Sequence, residues 1–117
     1  MSVFEVKKID RIGETTDGVV HLAMYCPGVL GQDFSFEDIA EKTETYLEFI
    51  LEGELQKRTP QFANKPLLIR VSCEYWPHAD YKARFLKMSK QLQRYDIALL
   101  VDVSSLRAKG GIFDYAS

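Results

Sequence analysis

Two stretches near the start of the chain are predicted to be β-strands, and the second of them alternates between strongly apolar and less apolar positions, which is the period of a half-buried strand. They run from Val3 to Ile12 and from Val19 to Cys26, and the segment between them ends in Asp17-Gly18. Because an Asp-Gly pair adopts the positive φ angles of a tight turn at low cost, the pattern predicts an antiparallel hairpin. In the second strand, one strongly apolar face should point to the core, formed by Val20, Leu22, Met24 and Cys26.

The next segment has helical spacing, and its start carries capping signals. Ser35 is a favoured N-cap residue, and Asp38 stands three positions later, where its carboxylate can complete a capping box. We predict a helix from Phe36 to about Glu52, ended by Gly53 in the left-handed conformation. The helix has an apolar face and, along one flank, a stripe of glutamates. The apolar face contains Phe36, Ile39, Ala40, Thr43, Tyr46, Leu47, Ile50 and Leu51, and the acidic stripe contains Glu37, Glu41, Glu44, Glu48 and Glu52.

A third strand, a second helix and a fourth strand complete the pattern. Alternation from Pro66 to Trp76 predicts the third strand, after a connection over residues 54–65 with room for one helical turn. Pro77 permits a turn into a helix from about Ala79 to Tyr95, and the apolar segment from Ile97 to Val103 predicts a strand that is central or well covered. The second helix has a core stripe of Tyr81, Phe85, Met88, Leu92 and Tyr95 and a basic side of Lys82, Arg84, Lys87, Lys90 and Arg94.

The predicted order of elements is therefore ββαβαβ, and it indicates an α/β protein built as a two-layer α+β sandwich. Right-handed crossovers place both helices on one face of a four-stranded mixed sheet, in the strand order 1-2-3-4 with the first strand antiparallel at the edge. A crossover that skips a strand would change this order. The 117 residues form a single domain, 1–117, in which we expect residues 104–117 to be a loosely held tail unless its apolar positions dock.

Four segments of the chain resemble known proteins in the residues themselves as well as in their periodicity. They are Lys8-Ile9-Asp10, the run Tyr46-Leu47-Glu48-Phe49-Ile50 followed by Gly53-Glu54-Leu55, the strand from Pro66 to Val71, and Phe85-Leu86. In these segments the chain resembles, over about residues 5–102, a family of small uncharacterised bacterial proteins that contain a domain of unknown function. The resemblance supports the fold and implies no activity, catalytic residue or cofactor.

Composition and charge exclude several classes of function. With 46% hydrophobic and 27% charged residues, the chain has the composition of a globular protein. Its apolar runs are too short to span a bilayer, and its first residues lack the apolar core of a secretion signal, so we expect a cytoplasmic protein that does not bind membranes. A net charge of -2 gives no general attraction to phosphate backbones, which disfavours nucleic acid as a partner.

The two cysteines and two histidines do not form a metal-binding pattern. Cys26 and Cys73 have no CxxC spacing, and in a reducing compartment we expect both to be reduced and packed in the core. His21 and Cys26 lie five positions apart on one strand, so their side chains point to opposite faces of the sheet. We therefore predict no metal site and no cofactor.

The face of the sheet away from the helices is the most informative candidate site. Its side chains mix aromatic, apolar and charged types, and Tyr, Trp and Arg are enriched at interface hot spots. We expect a partner protein or a second copy of the chain there. A sheet face that is simply exposed to solvent, or one that is covered by the C-terminal tail, would explain the pattern equally well. We predict partner-binding roles for His21, Tyr25, Arg70, Glu74 and Trp76, in a face that also contains Ala23, Leu68, Ser72, Ala98, Leu100 and Asp102.

A second candidate is the edge at which the parallel strands end and the helices begin, where α/β proteins often bind ligands. A histidine, carboxylates and a hydroxyl at this edge suit acid-base or nucleophilic chemistry if they converge. The simpler interpretation is structural, since Asp80 favours the positive end of the second helix. The edge gathers Tyr25, Trp76, His78, Asp80, Asp102 and Ser104.

The two helices carry opposite charge, which has two interpretations. Their exposed side chains can simply attract one another, with each pair worth about 0 to 1 kcal/mol. Alternatively, the acidic stripe docks a basic partner. The leading hypothesis is a non-enzymatic bacterial protein-binding domain, and one form of it is an immunity protein that neutralises a basic toxin domain. The alternatives are a homodimer joined through the open sheet, and a small-ligand protein or enzyme that uses the carboxyl edge.

Overall fold

The computed structural model describes residues 11–103 and, further along the chain, the backbone of a strand at residues 112–114. The predicted first strand therefore falls mostly outside the described residues, as does most of the predicted tail. The elements, in chain order, are β1 (Arg11–Glu14), β2 (Val20–Cys26), α1 (Phe36–Leu51), α2 (Glu54–Arg58), β3 (Leu67–Cys73), α3 (Lys82–Gln93), β4 (Ile97–Val103) and β5 (Ile112–Asp114), with short 3-10 helices at Pro60–Phe62 and Ala79–Tyr81.

The strands form one mixed sheet in the order β1-β2-β3-β4-β5. The inner strands β2, β3 and β4 are parallel, whereas β1 and β5 pair antiparallel at the two edges. The predicted strand order 1-2-3-4 is confirmed. The end of the first strand was predicted wrongly, because β1 ends at Glu14 and so includes Gly13 and Glu14, which were assigned to the turn. The segment predicted as a tail adds a fifth, three-residue strand beside β4.

All the long helices pack on one face of this sheet. Side chains from both α1 and α3, such as Ile39 and Phe85, belong to the same buried cluster as Leu22 and Ile69 of the sheet. The four residues of β2 that were predicted to face the core are all fully buried. Alternate residues of β2, β3 and β4 face the other way and are, with few exceptions, only partly buried. The two-layer sandwich with one covered face is therefore confirmed.

The capping signals of α1 act as the sequence predicts. The Ser35 hydroxyl accepts a hydrogen bond from the Asp38 N–H (3.2 Å), and the Asp38 carboxylate accepts one from the Ser35 N–H (2.9 Å). Gly53 has φ 80°, the left-handed conformation that ends the helix. The capping box therefore fixes where α1 begins, directly after the β2–α1 loop.

Two residues that were predicted to lie in the core are exposed, and several buried residues were missed, among them Lys42 and Ser89. Leu51 is 55% exposed because it is the last residue of α1, and Tyr95 is 48% exposed because α3 ends before it, at Gln93. Lys42 is fully buried instead, with its Nζ 6.0 Å from the centre of the Tyr46 ring. Lys42 follows Ile39 by three positions, so helical spacing places it on the core side despite its charge.

The ends of two predicted elements also differ from the structure. The third strand stops at Cys73, so residues 74–76 form the start of a loop. The second helix begins at Lys82, after the 3-10 helix, and is shorter than predicted at both ends. In the part of the chain that the structure describes, no helix has the length and apolar character needed to span a bilayer.

Candidate binding site on the open sheet face

The register of the strands arranges the side chains of the uncovered face in rows. We call this surface of β1, β2, β3 and β4 the open face. Across its middle, Arg11 of β1 pairs with Ala23 of β2, and Ala23 pairs with Arg70 of β3. One row contains His21, Leu68 and Ala98, and the row on the other side contains Tyr25, Ser72 and Asp102.

A hydrogen-bonded network fixes the centre of the open face. The Arg70 Nε–H donates to Asp102 Oδ2 (2.6 Å), Nη2 forms an ion pair with the same carboxylate, and the Ser72 hydroxyl donates to Oδ1 (2.6 Å). The Asp102 side chain is 4% exposed and that of Arg70 is 38% exposed. Burial of an unpaired carboxylate would destabilise the folded state, so the fold favours the paired arrangement. The contacts with Asp102 therefore keep the side chains of Arg70 and Ser72 in fixed positions.

A shallow trough of about 370 Å³ lies beside this network. Its floor is low at Ala23, whose side chain is a single methyl group, whereas its neighbours on all four sides have long or aromatic side chains. The trough is therefore a product of strand register and side-chain size. It is lined by Arg11, His21, Ala23, Met24, Tyr25, Arg70 and Ser72.

His21 forms one end of the trough and has a perturbed acidity. Partial burial of its ring lowers the pKa of His21, and the positive charges of Arg70 and Arg11 lower the pKa further. Gly13 lies directly opposite on β1, and a Cβ atom there would be 2.9 Å from His21 Nε2. Because glycine has no Cβ atom, the imidazole of His21 can lie over the first strand at this position.

A family model matches residues 1–105 of the 117-residue chain. The chain belongs to DUF6572. This is a family of unknown function, and its match agrees with the resemblance seen over about residues 5–102. No curated protein and no solved structure matches the chain. The membership of DUF6572 assigns no activity, so the chemistry has to be argued from the residues themselves.

The structure brings together three of the five residues of the DUF6572 chain that were predicted on the open face. His21, Tyr25 and Arg70 line the trough. The other two, Glu74 and Trp76, lie in the loop after β3, and this part of the prediction is wrong in its placement. The Glu74 carboxylate accepts a hydrogen bond from the Gly28 N–H (2.8 Å) and so connects the loops that follow β3 and β2.

Sequence reasoning missed Arg11 as a member of the site. It lies on the predicted first strand, but the face that it occupies depends on the register of the hairpin. The pairing of Arg11 with Ala23 settles that register. The position of Asp17-Gly18 carries part of this information, because turn length fixes which residues of a hairpin lie opposite each other.

The acidic stripe of α1 is exposed over its whole length, as the sequence predicts. One ion pair connects it to α3 within the described residues, between Glu37 Oε1 and Arg84 Nη1 (3.6 Å). Further along, Glu44 and Arg94 line a groove of about 410 Å³ between the two helices. The opposite charges of the helices therefore serve in part to attract one another, and Glu41, Glu48 and Glu52 remain as exposed carboxylates.

Of the acid-base residues predicted at the carboxyl edge of the DUF6572 sheet, His78 and Asp80 lie together, with 3.3 Å between Nδ1 and Oδ2, whereas Asp102 has other partners. The carboxylate of Asp102 is bound by Arg70 and Ser72 on the open face. The His78 imidazole is exposed, and its Nδ1 accepts a hydrogen bond from the Asp80 N–H (3.1 Å), which caps the 3-10 helix. Ser104 lies outside the described residues. The structural interpretation of His78 is thus supported by its own contacts.

Cys26 and Cys73 lie opposite each other in the parallel pairing of β2 and β3. Both are buried on the helix side, and they are not joined in a disulfide. Among residues 11–103 and 112–114, no three or more His, Cys, Asp or Glu side chains are grouped so as to hold a metal ion. The described residues thus offer the open face as the strongest candidate site.

Proposed function

We propose that this DUF6572 protein is a non-enzymatic protein-binding domain that docks its partner on the open face. The observation that supports this most strongly is the ordered network of Arg70, Ser72 and Asp102 at the centre of a mixed, partly apolar surface. Arginine and tyrosine are the residue types enriched at interface hot spots, and Tyr25 stands next to the network.

The network reduces the cost of binding because it orders its side chains in advance. An arginine that is free in solution loses rotamer entropy on binding, at roughly 0.5–1.5 kcal/mol for each immobilised side chain. Arg70 is already held by the carboxylate of Asp102. Around it, Leu68 and Leu100 are only half-buried, so a partner would remove further apolar surface from water.

The finer form of the proposal is a cytoplasmic immunity protein of bacteria that neutralises a toxin domain. It is supported by the small size of the domain and by the exposed acidic stripe, which suits a basic surface. This form uses the helical layer, whereas the main proposal uses the opposite side of the sheet. The two surfaces can therefore be tested separately.

The test is affinity capture from native lysate with matched charge reversals. We expect a stoichiometric partner that binds the wild type at micromolar concentration, is lost with Arg11→Glu, and is retained with Lys87→Glu on the exposed side of α3. A third bait, Glu41→Lys with Glu48→Lys, tests the acidic stripe. No partner with any bait would refute the proposal, and a partner lost only with the stripe variant would move the binding surface to α1.

Two further measurements address the alternatives. Sedimentation of the wild type at high concentration should show a monomer. A dimer that dissociates with Arg11→Glu would mean instead that the open face binds a second copy of the chain. A thermal-shift screen against small molecules should give no large stabilisation, since a tight ligand raises the melting temperature by mass action. A strong hit that survives Arg11→Glu would favour a small-ligand protein with a site elsewhere.

A further inference from the structure

Two arginine side chains flank a single methyl group in the middle row of the open face. Arg11 and Arg70 are the partners of Ala23 on its two sides, in β1 and β3. Neighbouring strands lie about 4.8 Å apart, so the two arginine Cα atoms are separated by roughly 10 Å. Because Ala23 leaves the space between them empty, a small group can enter the trough and reach both side chains.

The charge of the trough is positive although the whole chain is acidic. On the strands β1 to β4, Asp102 is the one acidic residue whose side chain faces the open side, and its carboxylate is already bound by Arg70 and Ser72. No carboxylate of the described residues forms an ion pair with Arg11, which is exposed. With Asp102 offsetting Arg70, the three side chains together carry one net positive charge.

Arg70 keeps hydrogen-bonding capacity after it has paired with Asp102. A guanidinium group has five N–H donors, and the contacts with the carboxylate use Nε and Nη2. Arg70 also lines the trough, as does Arg11. Both residues can thus donate to the same acceptor, and charge-assisted bonds between guanidinium and carboxylate groups are about twice as strong as neutral ones.

We propose that the trough receives the carboxylate of an aspartate or glutamate side chain of the partner protein, which docks over Ala23 between Arg11 and Arg70. This inference rests on the proposed function and adds the chemistry that the partner presents. A phosphate group would use the same donors. The carboxylate is favoured because the single net positive charge matches a monoanion, whereas a phosphate monoester carries a charge of about -1.5 to -2 at pH 7.

The test uses three small probes with the isotope-labelled 117-residue chain. They are a capped Gly-Glu-Gly peptide, the matched Gly-Gln-Gly peptide and inorganic phosphate, each titrated at low salt while amide chemical shifts are recorded by NMR. We expect millimolar binding of the Glu peptide, with shifts centred on His21, Ala23 and Ser72, and binding at least fivefold weaker for the other two probes. Low salt is chosen because screening weakens exposed charge interactions.

Variants locate the binding within the trough. Arg11→Gln should weaken binding of the Glu peptide about tenfold, the loss expected for a charge-assisted hydrogen bond. Ala23→Glu should abolish it, because the new carboxylate occupies the space between the arginines. The matched control is Ala98→Glu, which makes the same change on the same face, two strands away, and should keep the affinity within twofold. If Ala23→Glu does not fold, Arg11→Gln decides the question, since Arg11 is exposed.

Three results would overturn the inference: equal binding of the Glu and Gln peptides, tighter binding of phosphate than of the Glu peptide, and binding of the Glu peptide that Arg11→Gln does not change. Failure of the proposed function looks different. If the Glu peptide binds but affinity capture finds no partner, the carboxylate site stands and the docking function falls. If a partner binds the open face and the Glu peptide does not bind, the docking function stands and the carboxylate site falls.

Discussion

The two faces of the sheet are built from alternate residues of the same strands, yet they follow different rules. On the covered face, residues such as Ile69 and Leu99 are fully buried under α1 and α3. Their immediate neighbours Leu68 and Leu100 are half-buried and surround a polar network. Apolar packing specifies the first face, whereas hydrogen bonds and charge order the second. The contribution of a strand residue to stability should therefore depend on which face of the sheet its side chain occupies.

The largest difference is expected between Ile69→Ala and Leu68→Ala. Truncation of Ile69 removes fully buried methyl groups and leaves a cavity, which should lower the free energy of unfolding by about 2–5 kcal/mol. Leu68 is half-buried, so its truncation should cost less than about half as much. Urea denaturation measures both values. Equal losses would mean that the open face is packed as tightly as the core.

The next effect concerns the network on the open face. Asp102→Ala removes the acceptor of Arg70 and Ser72 and should destabilise the protein by about 2 kcal/mol, less than for a fully buried ion pair because water reaches Arg70. Glu41→Gln, which changes an exposed carboxylate of α1, serves as the control and should change stability by less than about 0.5 kcal/mol. Similar urea midpoints for the two variants would show that the network contributes no stability.

The helical layer offers a smaller and more local effect. Ser35→Ala removes the hydroxyl that accepts the Asp38 N–H and should cost about 1 kcal/mol. Thr45 lies inside α1, where its hydroxyl bonds the Glu41 carbonyl, and Thr45→Ala should be neutral or slightly stabilising because alanine has the higher helix propensity. Thermal unfolding of both variants checks this contrast. A loss of stability in Thr45→Ala as large as that in Ser35→Ala would contradict it.

The smallest effect is the pH dependence that His21 gives to stability. Because the pKa of His21 is lowered in the folded state, the unfolded chain takes up the proton first as the pH falls below about 6.5. The folded state should therefore lose stability between that pH and the lowered pKa. His21→Gln should lose less stability than the wild type between pH 7.5 and pH 5.5 in urea titrations. An equal or greater loss in the variant would mean that protonation of His21 does not disfavour folding.

The sequence predicts β2, β3 and β4 well because β2 and β3 alternate over their own length and β4 is a short apolar run. The errors arise where distant residues decide the outcome. Alternation continues through Trp76, but β3 ends at Cys73, whose register partner Cys26 is the last residue of β2. Pro27 has no N–H with which to extend β2. Strand length is thus set by the neighbouring strands as well as by local pattern.

The candidate site was predictable in part for the same reason. His21, Tyr25 and Arg70 could be assigned to one face from parity alone. The pairing of Arg70 with Asp102 needs the register between β3 and β4, and the place of Arg11 needs the register between β1 and β2. Lys42 was left out of the predicted core although it is fully buried. Its spacing from Ile39 is that of a buried position, but its side chain is charged.

One side of the sheet is buried by helices, and the other side is accessible. Methyl relaxation of the 117-residue chain in the presence of a soluble gadolinium chelate tests this directly. We expect strong broadening of the methyl signals of Ala23 and Leu68 on the open face, and little broadening of those of Leu22 and Val71 on the covered face. Equal protection of all four residues would show that the open face is sealed by the protein itself and would contradict the claim.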